Sequence, residues 1–331
     1  MKVVYFFRPK NDGANSIEGV FDIIKSALPE SMLSTDYFCT NEWMRFKSFF
    51  KARFQQGDVN HITGDIHEIS FFLSKKRTIV TVHDVGRYER DLTGIRKIVK
   101  KFVWLYLPLR RAAKITTISE FTKQKLVQIT GISASKIEVI PNPAPDDFKF
   151  SPKIFDESSP IILQIGGGNN KNLNRLIEAI KDSSYRLILI RKKDSSLEEL
   201  LNKLNISYEW HSNISRERVY DCYKKCDILF FASEYEGFGV PILEANSVGR
   251  CVLTSNISSM PSVAGDSALF VNPFDPKQIR KNLDILSSDA QLREELIGNG
   301  LKNIKRYSRQ LIASSYFKLY QEIYSSKLAT K

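Results

Sequence analysis

Histidine and cysteine are scarce in this chain, four of each among 331 residues, and neither is spaced for metal. Cys222 and Cys226 stand one helical turn apart in VYDCYKKCD. That is neither the C-x2-C of a zinc site nor that of a thioredoxin-like motif, and no ligand-type partner follows closely. Small apolar fillers on a helix are the favoured reading. A four-histidine metal site has no spacing support, and His67 and His211 carry no argued role. No apolar run approaches the ~20 residues that a membrane span needs. The apolar part of MKVVYFFRPK is too short for a secretory signal and reads as a first buried strand, so a cytoplasmic location is expected. G-x-G-x-x-G fails at GGGNNKN because Lys171 stands where the last glycine belongs, and no G-K-[ST] follows. Hydride-transfer and P-loop chemistries therefore lose their motifs. Base-stacking motifs and known nucleic-acid modules are absent too, so nucleic acid is not the expected partner.

Hydrophobic residues make up 42% of the chain, enough for a sizeable core, and the length suggests two domains of about 150 residues each. Strand and helix patterns alternate: strand 3–7, helix 17–28, strand 78–84, strand 114–118 with a helix opened by Ser119, and strand 136–143. PNPAPDDFKFSPK (141–153) is the best linker candidate. The pattern then restarts with strand 160–168, helix 171–181, strand 186–191, helix 195–204, strand 227–233, a helix near Val240 and strand 251–255. Long amphipathic pieces at 289–305 and 308–327 close the chain. Alternation of this kind predicts parallel sheets, with ligands at the carboxyl ends of the strands. The net charge of +12 favours an anionic partner: nucleotide, nucleic acid or membrane surface.

The strongest local signal is SEYEGFGVPILEA (233–245). Glu236 follows a strand, and Glu244 lies in the first turns of the next helix. Gly237 and Gly239 let backbone approach a ligand, and Pro241 suits a first helical turn. A loop at a helix N-terminus is a natural diphosphate seat. Glu236 is placed to accept from sugar hydroxyls and Glu244 to hold a ribose. On composition alone this reading and a plain strand–turn–helix with surface glutamates are even.

E-GFG-PILE with this spacing resembles the E-x7-E signature of the retaining family-four glycosyltransferases (group 1 type) of GT-B fold. ITTISEFTKQKL, IEVIPNP, IGGGNNKNLNRLIEAI, SRERVYDCYKKCDILFFASEYEGFG and SNISSMPSVAGDSALFVNPFD resemble further segments of that family, in its order. The resemblance covers most of the chain and is strongest from 78 to 275. It implies an α/β protein of two Rossmann-like domains facing each other across a cleft. Residues 1–148 would form an acceptor domain and 149–309 a nucleotide-sugar donor domain, with the helix at about 310–327 packing back on the first. It also implies that Glu236 contacts the donor sugar or stabilises positive charge at its anomeric carbon, and that Glu244 binds ribose. Gly167, Gly237, Phe238, Gly239 and Val240 line the donor, and Lys171 neutralises the departing diphosphate, so that no metal or other cofactor is needed. No D-x-D triplet is present, which argues against the metal-dependent class. His83 and Asp84, in TVHD, would face a sugar. His61 and Asp65, in HITGD, make a weaker acceptor-side case. Two departures stand out. Asn169 and Asn170 occupy the place of a usual arginine, for which Arg191 is the proposed substitute, and Ser262 replaces a usual glutamate.

Residues 95–107, IRKIVKKFVWLYL, form an amphipathic pattern. Ile95, Ile98, Val99, Phe102, Val103 and Tyr106 share one face; Arg96, Lys97, Lys100, Lys101 and Trp104 fall opposite. WMRFKSFFKARF (43–54) also mixes aromatics with Arg and Lys. Docking of the basic face, with Trp104, on an anionic membrane surface is weighed equally with a solvated basic face over an aromatic core. The expected reaction moves a hexose-type sugar from a nucleoside-diphosphate sugar to a hydroxyl of a glycan acceptor, lipid-linked, in bacterial surface polysaccharide (O-antigen, lipopolysaccharide or capsule) biosynthesis. The alternatives are a nucleotide-sugar epimerase of the same fold and a sugar-nucleotide-binding protein that has lost catalysis.

Overall fold

The structure, a computed structural model, describes residues 1–9, 16–40, 45–91 and 93–328. Trp43 and Met44 of the aromatic–basic stretch lie outside the described residues. The chain forms two compact units, Met1–Pro143 together with Tyr307–Lys331, and Ala144–Arg306.

The first unit carries β1 (Lys2–Phe7), β2 (Leu33–Phe38), β3 (Val59–Ile62), β4 (Thr78–Val82), β5 (Lys114–Thr117) and β6 (Ile137–Val139) in the order β2-β1-β3-β4-β5-β6. The second carries β7 (Ile161–Ile165), β8 (Arg186–Ile190), β9 (Tyr208–His211), β10 (Ile228–Phe231), β11 (Cys251–Ser255) and β12 (Leu269–Val271) in the order β12-β11-β10-β7-β8-β9. Every pairing in both sheets is parallel. β3, β4, β10 and β11 are buried at every position, as strands covered on both faces must be. In each sheet the chain runs outward one way and then the other, so the order reverses between β1 and β3 and between β7 and β10. Such reversals open a crevice at the carboxyl ends of the adjoining strands. β2, β3, β9 and β12 have no counterpart in the sequence reading; β9 and β12 are short and only partly buried, with too little patterning to register.

Alternate residues of β1 feed two cores in the first unit. Val4 and Phe6 join Val80, Val82, Leu105 and Leu109. Val3, Tyr5 and Phe7 join Phe21 and the helix Arg309–Leu328, which contributes Ile312, Tyr316, Leu319, Tyr320 and Ile323. The second unit has one large core, in which helix Leu173–Ile180 supplies Leu173, Leu176 and Ile177.

His61 is part of the first unit's interior, and its acceptor-side assignment is corrected. Its ring is fully buried, with Nδ1 2.8 Å from Tyr320 Oη and Nε2 2.7 Å from Thr81 Oγ1. Both ring nitrogens are spent on the fold, and a period-2 count alone could not tell that this strand position faces the closing helix. Burial pushes its pKa down to about 3. The unfolded chain accepts the proton near 6.5, so the linked stability is intact above that pH and is lost as pH falls. For His61 alone the loss between pH 7 and pH 5 is about 2 kcal/mol. Urea midpoints of the first unit's transition should therefore fall from pH 7 to pH 5. His61→Gln, although less stable at both, should show a smaller drop; an unchanged drop would rule out this histidine as the titrating group.

Candidate functional site

The second unit's site is built where its strand order reverses. β7 leaves the sheet through Gly166–Gly168, followed by a short turn Asn169–Lys171 and the helix Leu173–Ile180. Gly166 and Gly168 both have φ of +99°, a backbone region open to glycine. A Cβ on Gly166 would lie 2.9 Å from Lys171 Cε, so the glycine also makes room for the lysine to fold back over its own loop. Nothing lies within 4 Å of a Cβ built on Gly167, which leaves that face of the loop open.

β10 delivers the facing loop. Lys171 Nζ lies 2.5 Å from Glu236 Oε1 and 5.1 Å from the centre of the Phe231 ring. The two side chains are 20% and 15% exposed, which keeps the pair reachable but poorly screened. The loops are laced at three further points. Glu234 N donates to Asn170 O at 2.8 Å, Asn170 Nδ2 to Tyr235 O at 3.1 Å, and Asn172 Nδ2 to Ala232 O and Pro273 O at 3.0 and 2.6 Å. Asn172 sits in the left-handed region, φ +60°, which an asparagine tolerates better than most residues.

Two serines absent from the sequence reading fix the carboxylate loop. Glu236 N donates to Ser258 Oγ, which in turn donates to Glu236 O; Ser259 Oγ lies 2.9 Å from Glu236 O and 2.6 Å from Phe238 O. Their only sequence signal was the SNISSMP segment that follows β11. Gly239, at φ +121°, turns the chain into the helix Val240–Val248, with Pro241 in its first turn. First-turn amides such as that of Val240 have no acceptor inside the helix and carry its positive dipole end. Phe238 is buried.

Glu244 is 5% exposed. Tyr223 Oη donates to its Oε2 at 2.7 Å, and Arg216 Nη1 donates to its Oε1. Arg216 Nε also donates to Asp147 Oδ2 at 2.9 Å, and its guanidinium lies 4.1 Å from the Phe148 ring centre. A carboxylate offers about four acceptor positions, so Glu244 retains capacity beyond these two donors. Arg216, Tyr223 and Asp147 were missed by the sequence reading, which took SRERVYDCY only as part of a family-like segment.

The place of the absent arginine is not taken by Arg191 through any contact with the pair among the described residues. Arg191 ends β8; its carbonyl accepts from Trp210 Nε1 and Ser212 Oγ, and its Nε is buried without a hydrogen-bond partner among the described residues. The cation nearest the loops in the hydrogen-bond network is Arg175, which donates to Glu234 and to Asn172 Oδ1 and lies over Phe274. Ser262 serves its own helix start, its Oγ donating to Ser259 O. Among the described residues no group of three or more His, Cys, Asp or Glu side chains converges for a metal. All four cysteines are buried and free.

In the first unit His83, half-buried just past β4, donates Nε2–H to Thr63 O at 2.7 Å. Burial holds its pKa below the usual histidine range, and the Thr63 carbonyl, Asp65 and Asp84 oppose that shift. The ring is thus neutral, with Nδ1 as its acceptor. Asp84 is exposed, and its Oδ1 accepts from Gly86 N at the start of the helix Gly86–Asp91, so one oxygen does local capping. Asp65 is exposed as well; its carbonyl accepts from Arg45.

Trp104 is corrected: it is 8% exposed, stacked on His67 with ring centres 4.8 Å apart, and is core rather than surface. A π-helical turn, Lys101–Tyr106, lies inside the run that opens with Gly94–Lys100. A regular wheel already sets Trp104 opposite the stripe of Ile95, Ile98, Val99, Phe102 and Val103; what is inverted is which face is inside, since that stripe is exposed and the Trp104 side packs on His67. Lys97 donates to Glu89 O, Lys100 lies over the Trp104 ring, and Lys101 is half-buried, while the face that carries Ile95 and Ile98 is exposed.

Two family models match in succession: Glycosyltransferase Family 4 over residues 43–148 and Glycosyl transferases group 1 over residues 146–303. The chain is 26% identical over 271 residues to O-antigen chain mannosyltransferase B of Escherichia coli, covering 73% of this chain and 70% of that protein. It is 27% identical over 249 residues to O-antigen chain mannosyltransferase RfbU of Salmonella typhimurium, covering 68% and 69%. Among solved structures, HepE of Anabaena in complex with UDP and glucose superposes with a TM-score of 0.79 at 13% identity, over 97% of this chain and 100% of that one. WaaG, a glycosyltransferase involved in lipopolysaccharide biosynthesis, superposes at 0.72 and 14% identity, over 97% and 99%. The fold is the two-domain α/β GT-B fold.

The lacing makes one stability prediction. Asn172→Ala leaves two buried carbonyls unpaired and places alanine at positive φ, and should destabilise the second unit by about 2–4 kcal/mol. Asn172→Gly loses the same bonds without the backbone strain and should fall between wild type and alanine in thermal unfolding; equal stability of all three would show that the lacing carries no weight.

Proposed function

The chain belongs to the group 1, family-four glycosyltransferases, and on that premise we propose that it moves a hexose-type sugar from a nucleoside diphosphate to a glycan hydroxyl, with retention and without a metal ion. The observation that carries this reading is the Lys171–Glu236 pair beside the N-terminus of helix Val240–Val248. A cation beside a helix dipole suits the charge that develops on a departing diphosphate, and a carboxylate next to them suits a sugar ring that becomes positive.

In this reading Lys171 moves its ammonium onto the leaving diphosphate, and the first-turn amides of helix Val240–Val248 share that charge. Glu236 then faces the anomeric carbon. The bond between that carbon and the diphosphate oxygen breaks, the acceptor oxygen bonds on the same face, and its proton passes to the departing phosphate. Glu244 accepts from ribose hydroxyls. In the first unit His83 offers Nδ1 as an acceptor to a sugar hydroxyl. The O-antigen mannosyltransferases of Escherichia coli and Salmonella typhimurium support a hexose donor and a role in bacterial surface polysaccharide synthesis. HepE, solved with UDP and glucose, supports a nucleoside-diphosphate sugar as donor.

A panel of UDP-, GDP- and dTDP-sugars incubated in EDTA, with released nucleoside diphosphate measured, tests the reading. One donor should be hydrolysed slowly without metal. Glu236→Ala and Lys171→Ala should each lower turnover by at least about 100-fold, and Glu244→Ala should act mainly on KM, by about 10-fold. Turnover that requires a divalent ion, or that survives both Glu236→Ala and Lys171→Ala, would overturn the assignment.

A further inference from the structure

The helical run from Gly94 to Arg111 wears its apolar residues outward. Ile95 is 76% exposed, Ile98 57%, Val99 54%, Phe102 47% and Val103 48%. Their spacing is i, i+3, i+4, i+7, i+8, one continuous stripe. The π turn then adds a residue, so the stripe continues at Leu107, 44% exposed, while Trp104, Leu105, Pro108 and Leu109 turn into the core. Residues 94–111 contain six Lys and Arg and no Asp or Glu.

A second helix, Arg45–Ala52, continues the surface. Phe46 is 80% exposed and Phe50 53%, with Phe54 beyond them at 72%; Lys47, Lys51 and Arg53 are exposed beside them. Phe50 and Phe72 line one groove with Lys47 and Lys51, and another with Phe71 and Arg111. Arg111 ends the first run, so the second groove joins that end of the run to the second helix.

A contiguous apolar surface of this extent is unusual on a soluble monomer and marks a partner. Charge decides which. A second copy related by a two-fold would bring the same basic strip against itself, a like-charge contact. An anionic lipid surface satisfies both features: apolar residues enter the headgroup–acyl boundary, and each Lys or Arg near the phosphates adds about 1 kcal/mol. No helix among the described residues is long and apolar enough to cross a membrane. We propose that the run 94–111 and the helix Arg45–Ala52 are one in-plane docking surface for an anionic lipid bilayer, with the apolar stripe, rather than Trp104, as the inserted element.

The full chain is sedimented with vesicles of phosphatidylcholine alone and of phosphatidylcholine with phosphatidylglycerol. Binding is expected to the anionic vesicles and at least 10-fold weaker to the neutral ones. Val99→Glu with Phe102→Ser should weaken anionic binding at least 10-fold, and so should Phe46→Ser with Phe50→Ser. These sites are exposed, and circular dichroism checks that the variants fold. Vesicle binding by the variants equal to wild type, or no binding to either vesicle, overturns the proposal. So does a concentration-dependent dimer in light scattering that the same substitutions abolish, since the stripe would then be a self-interface. Vesicle binding needs no donor, and donor hydrolysis in solution needs no vesicle, so this proposal and the transferase reading fail separately.

Discussion

The approach of Lys171 to Glu236, 2.5 Å between Nζ and Oε1, depends on a constraint of sheet topology. The two residues are 65 positions apart and meet because β7 and β10 are neighbours. From β7 the chain moves out through β8 and β9; from β10 it moves out through β11 and β12. The crossover connections therefore diverge, and at that seam the two loops rise side by side. The pair is a property of strand order before it is a property of side chains.

Holding opposite charges at that seam requires backbone that cannot drift. Asn170 and Asn172 bind the lysine loop to residues 232–235, while Ser258 and Ser259 grip the glutamate loop from the other side. These are uncharged donors and acceptors, and this matters for electrostatics. A cation used as a brace would compete with Lys171 for Glu236, whereas amides and hydroxyls fix position without altering the local charge. Arg175, the extra cation in this network, is matched by Glu234.

What the sequence made legible follows the same division. Glycines, proline and the paired glutamates of SEYEGFGVPILEA announce a strand–loop–helix because each meets a local backbone demand; β10 and the helix from Val240 are found where that demand placed them. Lys171 stood out for its place after three glycines. Ser258, Arg216 and Tyr223 were not legible, since their partners lie 22, 28 and 21 residues away and their own surroundings look like ordinary turn or helix surface. His61 and Trp104 were misread for a related reason. Which side of a strand or helix is inside is set by what packs there: Tyr320, from the far end of the chain, for His61, and His67 for Trp104. Period alone carries neither.

Glu244 shows how burial and ligand chemistry meet. A carboxylate 5% exposed must be hydrogen-bonded, because an unpaired buried charge is among the most destabilising features a fold can hold. Its donors differ in kind. Tyr223 is fully buried and fixed by packing, so its bond to Oε2 is part of the core. Arg216 is 48% exposed at its side chain, and Asp147 supplies a second acceptor for it. Oε1 is thus satisfied by a group with somewhere else to go, and Oε2 by a group without. A ligand hydroxyl that approaches Glu244 can share or replace the arginine at little loss, because the guanidinium keeps Asp147 and the Phe148 face. In that arrangement the carboxylate is never left bare, and the exchange takes place on its solvent side.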